Sequence, residues 1–466
     1  MRTRFPVIQT LSERSDLYIY FYFHGLALLN KKGTFCFITS NSWLDVDYGK
    51  DLQHFLLHYV PIRAIYDNLA KRSFTQADIN TIIALFDAPD LKNQNASLKN
   101  VAKFVIFRKP FEEAVKIKNL LGIETAREII SNENFRVYPI RQEDLLEEAM
   151  EYKSEEQKKL GVGKYISNKW GGKYLRAPDI FFTTLEKGRD KFEPLNKAGR
   201  VLIGLVTGAN DFFMIDEKTI NEYKLSENYL FPIIRTPKES KKIKIHRKDL
   251  NYKVLIANKL IDESLKKYIK LGEKRKLHNR PTCKARSPWF RLRQEPAPIL
   301  FPYIIGERHL SYLNTDLVYT NRELERFIPD NKNLSETYCA FFNSTLIALL
   351  RELYGRTSLG GGALKLEVLD IQDFPVFKVK ILESLNTKFK KLLEKLNKRP
   401  IKSIFEECGI NPKRPIRDQK PNPLLDRKAL DNIIFDILDL TQEERKEVYW
   451  AVCELVKNRL QKAKSV

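Results

Sequence analysis

Asp16–Leu44, DLYIYFYFHGLALLNKKGTFCFITSNSWL, with Ile62–Asn68, IRAIYDN, and Phe74–Phe86, FTQADINTIIALF, is the part of the chain on which the fold turns. Leu17, Phe21, His24 and Leu28 recur at helical spacing and predict a helix over 16–30. Gly33 then opens the apolar run Thr34–Thr39, which predicts a short buried strand of the parallel kind. After the loop Ser40–Trp43, a second helix is predicted from Tyr48 to Tyr59, with Leu52, Phe55 and Leu56 inward and Pro61 as its stop. Ile62–Tyr66, Asn80–Phe86 and Val101–Phe107 read as further strands. Helices alternating with strands predict an α/β layer structure.

The chain has 466 residues, enough for about two or three domains. It is 43% hydrophobic, 11% aromatic and 30% charged, a globular composition that excludes a disordered or collagenous chain. No uninterrupted apolar run reaches spanning length, and no secretory-type apolar segment follows Met1-Arg2-Thr3-Arg4. Five cysteines (Cys36, Cys283, Cys339, Cys408 and Cys453) lie scattered without a CxxC pair, the usage of a reduced cytoplasmic chain without a zinc site. His54 and His58 stand one helical turn apart, but no third ligand is near in sequence, so no metal site is expected.

The charge is uneven. Lys and Arg number 81 against 59 Asp and Glu, a net of +22. Between Arg235 and Arg293, twenty Lys and Arg stand against five Asp and Glu, so about two thirds of the excess lies in an eighth of the chain. Such concentration favours a polyanion, most often nucleic acid; a solvated lysine-rich surface is the plainer alternative.

Residues 110–195 read as a mostly helical connector with a loop holding Trp170, Gly171 and Gly172. From 199 to 375 the pattern turns to short strands: Val201–Val206, Phe212–Ile215, Ile299–Ile305 and Leu317–Thr320, then a helix over Leu334–Tyr354 and a loop with Gly360-Gly361-Gly362. Beyond Pro375 the chain reads as helical, with Leu385, Phe389, Leu392 and Leu396 on one stripe and Thr441 with Glu444 as a capping box. The domains expected are 1–109, 110–195, 196–376 and 377–466. Phosphate-binding, nucleophile-elbow, HExxH and GxGxxG motifs are all missing.

The order, spacing and residue types over 16–86 resemble the second half of the catalytic domain of adenine-N6 DNA methyltransferases, the gamma-class, TaqI-like type of restriction–modification systems. GRVLIGLVTGANDFFMID (199–216) and TSLGGGALKLEVLDIQDFPV (357–376) resemble that family's target-recognition domain. The resemblance implies an α/β fold: the C-terminal part of a Rossmann-like methyltransferase sheet, then a mixed α+β DNA-recognition domain and a helical C-terminus. It makes 34–39 the fifth of seven strands and the last two strands an antiparallel hairpin. It implies S-adenosyl-L-methionine as cofactor and double-stranded DNA as partner. The family's glycine-containing cofactor loop and its Pro-Pro loop, which holds the target amine, belong upstream of Leu17, and this sequence contains neither. The expectation is therefore a C-terminal part of such an enzyme, from an internal start, a split gene or a truncated frame, with no catalytic residue of its own. It would be inactive alone. Its fifth strand would form an apolar sheet edge that a partner chain completes, or that leaves the fragment poorly soluble.

By position, Phe74 in RSFTQADIN matches the family residue that stacks on the flipped adenine, and Asn41 and Trp43 match its loop after the fifth strand. Phe74 could equally be an ordinary loop aromatic, and Trp43 could pack on the second helix. Lys241, Lys242, Lys244, Arg247 and Lys248, with Lys274, Arg275, Lys276 and Arg280, are candidates for phosphate contacts. Arg291 and Arg293, two apart on an expected strand, share a face and suit guanine edges. Gly360, Gly361 and Gly362 with Arg356 and Lys365 are candidates for a close backbone approach to phosphate, or for a plain turn. A non-enzymatic DNA-specificity subunit, a combined restriction and modification enzyme, and an RNA-binding protein remain the alternatives.

Overall fold

The computed structural model describes residues 11–465 except Thr75, Asp78, Gln94, 153–156, 158–162, 167–168, Ile261 and 358–359, so the reading of Met1–Arg4 lies outside the described residues. The chain forms two compact units: 1–182 with 352–364 and 454–466, and 183–351 with 365–453. It is a mixed α/β protein. No described helix is long and apolar enough to cross a membrane.

The first unit opens with helix α1 (Leu17–Leu28), whose first amide is capped by Asp16. Strand β1 (Thr34–Ser40) follows, then helix α2 (Lys50–Tyr59) and strands β2 (Ile62–Asn68), β3 (Thr81–Asp87) and β4 (Val101–Phe107). Leu52, Phe55 and Leu56 of α2 are buried as their spacing predicts. The face of α1 differs from expectation. Ile19, Tyr22, Phe23 and Leu26 are buried, while Leu17, Phe21 and Leu28 are 64%, 51% and 73% exposed and His24 lies beside them. A helix apolar almost all round gives its periodicity no face to select.

Two further strands, β5 (Ile130–Ser131) and β6 (Phe135–Arg141), complete a six-stranded sheet of order β1-β3-β2-β4-β6-β5. The expected mostly helical connector thus donates two strands. Its Phe135 and Val137 are buried against β4, where Val105 pairs with Val137 and Phe107 with Phe135. β2 and β4 run parallel, and β3 is antiparallel to both β1 and β2. β1 is therefore an edge strand among the described residues, as β5 is at the other end; it pairs antiparallel to β3 rather than parallel, and only its last residues, Thr39 and Ser40, are buried.

The second unit holds two four-stranded sheets. One pairs Gly199–Leu202, Leu324–Pro329, Ile299–Pro302 and Tyr312–Leu313, all antiparallel. The other pairs Met214–Asp216, Tyr252–Leu255, Leu230–Ile234 and, in parallel, Tyr319–Thr320. Phe212–Ile215, expected as a strand, splits into the helical turn Asn210–Phe213 and the strand that follows it. The single helix expected over 334–354 is two, Ser335–Phe342 and Thr345–Tyr354. The break falls at Asn343, whose amide donates to the Ser311 carbonyl at 3.0 Å. Asp431 then caps the second helix, accepting from the Thr345 amide at 2.8 Å and hydroxyl at 2.6 Å. Competition from short polar side chains of this kind breaks helices. Leu385, Phe389, Leu392 and Leu396 are buried along the helix Val379–Leu396. The Thr441–Glu444 box is made in both directions, at 2.7 and 3.3 Å, ahead of the helix Gln442–Ala463.

Candidate functional site

In the first unit, β3 begins where β1 ends: Ser40 pairs with Thr81, and the Asn41 amide donates to the Asn80 carbonyl at 3.0 Å. The loop after β1 and the loop 69–80 after β2 thus share one end of the sheet. Gln53 of α2 fixes the first loop from below, donating to the Trp43 carbonyl at 2.9 Å. Gly49 permits that closeness, since a Cβ there would stand 2.0 Å from the Trp43 carbonyl oxygen. Asn41 is buried, and its Oδ1, like that of Asn80, has no hydrogen-bond partner among the described residues. Two orphaned acceptors at one strand end can take donors from a bound group.

Phe74 is 45% exposed in the second loop. A cleft of about 210 Å³, lined by Ile38, Asn68, Arg72, Ser73 and Phe111 among others, adjoins it in sequence. Trp43 is a different case. It is wholly buried, with its ring edge-on to Tyr22 at 5.5 Å and to Trp170 at 5.9 Å. It is a core residue. Its indole area serves packing, worth roughly 2–3 kcal/mol on burial.

The glycine loop is also only partly free. Gly361, at φ +68°, has open space around its missing Cβ. Gly362 is buried, and a Cβ there would stand 3.0 Å from that of Ala463, while its carbonyl accepts from Arg459. It is packed against the C-terminal helix. Gly360 lies in the same 3-10 turn, and Arg356 is half-buried. Lys365 is paired with Glu367 at 2.6 Å and lies over the Tyr303 ring, so its charge is largely compensated.

The second unit carries the basic stretch. Arg291 and Arg293 are not on a strand, because residues 291–297 have irregular backbone, but they do converge. With Arg286 and Arg326 they line one open cleft of about 490 Å³, together with Gly204, Val206 and Gln294. Arg286 donates to the Thr207 carbonyl at 2.5 Å and Arg280 to the Gly208 carbonyl at 2.9 Å, which ties this basic wall to the 204–208 turn. Arg326 donates to the Ile203 carbonyl at 3.0 Å. Arg291 leans on Asn258 at 3.0 Å, and Arg293 has no ion pair among the described residues. Lys274, Arg275 and Lys276, at the end of the helix Glu263–Lys274, are exposed and likewise carry no ion pair among the described residues.

Two of the other candidates are partly neutralised. Arg247 holds Asp316, whose carboxylate accepts its amide at 2.9 Å, and Lys244 stands 4.0 Å from Glu336. Lys241, Lys242 and Lys248 are exposed. Arg286 and Arg326 are not among the residues expected from sequence. Arg286 lies within the basic stretch and could have been grouped with Arg291, whereas Arg326 sits in an apolar strand with no signal of its own.

Residues 167–409, more than half of the chain, match the family described as type II methyltransferase M.Eco57I, C-terminal domain. The chain belongs to that family. Residues 7–74 match the Eco57I restriction-modification methylase family, so the M.Eco57I likeness extends over both units. The type II methyltransferase M.AccI of Acinetobacter calcoaceticus is 22% identical over 329 residues, covering 69% of this chain and 54% of that protein. The chain spans about half the length of this curated relative. The crystal structure of the type IIG restriction endonuclease BpuSI aligns with 98% of this chain and 50% of its own, at 13% identity and a TM-score of 0.44.

Proposed function

We propose that this M.Eco57I-family chain is the target-recognising segment of a site-specific, adenine-N6 DNA methyltransferase of a restriction–modification system. The observation that carries the reading is the arginine cleft of the second unit, in a stretch that also holds exposed cations with no ion pair among the described residues. Arg291 and Arg293 suit bidentate readout of guanine edges, and Lys274, Arg275 and Lys276 suit phosphates. The first unit supports the catalytic half of the reading. Its β2–β3 hairpin is the antiparallel pair that the resemblance implies, and Phe74 stands exposed on the loop between them, fit to stack on an unstacked base.

S-adenosylmethionine, the methyl donor of such methyltransferases, supplies the sulfonium methyl. The described residues do not form its cradle by themselves. Among the described residues no glycine-bearing loop follows a parallel strand of the sheet, and the loop after β1 is closed by its own hydrogen bonds. Methyl transfer depends on orienting the amine against that methyl, so the chain alone is expected to transfer none. The complementary part is the N-terminal methyltransferase half, in a longer polypeptide or a separate chain, and it docks on β1 and the outer face of α1. On this reading the protein works on DNA in the cytoplasm.

The experiment is duplex binding across a salt series. Tight binding that falls by about a thousandfold or more between about 50 and 200 mM salt is expected for a protein that neutralises six or more phosphates. Failure to bind at low salt, or preference for RNA in competition, contradicts the reading.

A further inference from the structure

The loop that carries Phe74 is held by residues from the far end of the chain, all within the first unit. At the loop's start, Lys462 donates to Asp67 Oδ1 at 2.8 Å, with the two side chains 11% and 5% exposed. The same oxygen accepts the Asn68 amide at 2.6 Å, and Asn68 Oδ1 accepts the amides of Ala70 and Lys71 at 2.7 and 3.0 Å. The Arg72 amide donates to Ser465 Oγ at 3.3 Å, and that hydroxyl donates to the Lys462 carbonyl at 2.8 Å. At the loop's end, the Asn80 side chain donates through Nδ2 to the Thr357 carbonyl at 2.5 Å.

The two holding segments are locked to each other. Arg459 forks onto Glu352 at 2.9 and 2.7 Å, both side chains buried, and donates to the Gly362 carbonyl. Buried ion pairs are poor devices for stability alone, because desolvation takes back most of the attraction. Two of them within one turn of a C-terminal helix, both fixing backbone beside a single loop, serve to define that loop's position.

We propose that Arg459, Lys462 and Ser465 are positioning residues that set the Phe74 loop for capture of the target base. The inference rests on the reading of Phe74 as the base-stacking residue.

Hydrogen–deuterium exchange of the full chain, without DNA, tests it. In Lys462→Met the amides of 70–74 should exchange about tenfold faster, while β2, β3 and β4 keep their protection. Lys462→Arg should restore protection, and Lys464→Met, at an exposed neighbour, should match the parent. Asp67→Asn should loosen the same amides, with nothing added in the double variant. Unchanged exchange at 70–74, or an equal rise across 62–107, overturns the proposal. If Lys462→Met does not fold, Ser465→Ala takes its place: faster exchange of the Arg72 amide is expected, and no change there overturns the proposal. DNA is absent from this experiment, so failure of DNA binding counts against the recognition reading and leaves the clamp standing.

Discussion

Glu325 shows how far one buried side chain can be driven. Its carboxyl is fully buried in the strand Leu324–Pro329, and burial pushes it up to about 7 against the pull of the paired Arg322 guanidinium. A raised carboxyl pKa means that the folded chain holds a proton the unfolded chain has already lost. The contribution of this group is therefore most favourable below 4.5 and is lost as pH rises from there through about 7. Glu325→Gln removes the titration. Thermal unfolding should show the variant at least as stable as the parent near pH 8, with the parent regaining ground on acidification. A variant less stable at both ends would mean that the Arg322 pair outweighs the burial cost.

At the scale of elements, the open flank of the first sheet matters most. β1 is an edge strand with Ile38 exposed, and α1 beside it turns Leu17, Phe21 and Leu28 outward. Such an edge favours pairing with another strand or aggregation. Ile38→Lys with Phe21→Lys should raise the soluble yield of the isolated chain and, on the proposed reading, abolish methyl transfer in the presence of a complementary methyltransferase part. Normal transfer by the double variant would place the docking face elsewhere. The elements from α1 to β4 were legible in the sequence because each pairs a clear period with a clear stop, such as Pro61 after α2. The orientation of α1 was not, since its apolar residues encircle it. The strands of 130–141 were hidden by charged neighbours, and their apolar faces gain meaning only against β4. Among site residues, the basic stretch was legible as composition. The cleft that gathers Arg286, Arg291, Arg293 and Arg326 was not, because Arg326 arrives from a distant strand. Lys462 and Asp67 lie 395 residues apart, a contact no local pattern announces.

At the scale of the whole molecule, the chain crosses between its two units at four places, after residues 182, 351, 364 and 453. The net charge of +22 is concentrated in the second unit's stretch 235–293, and the Phe74 loop lies in the first. This division suits a protein that reads sequence with one unit and presents a base pocket with the other. The central claim is sequence-specific recognition, and phosphate affinity alone does not establish it. The most direct measurement is selection of bound fragments from a random DNA duplex pool by this chain at near-physiological salt. Enrichment of one short motif is expected, with loss of its guanine positions in the Arg291→Ala, Arg293→Ala double variant. A bound pool indistinguishable in sequence from the input would contradict it.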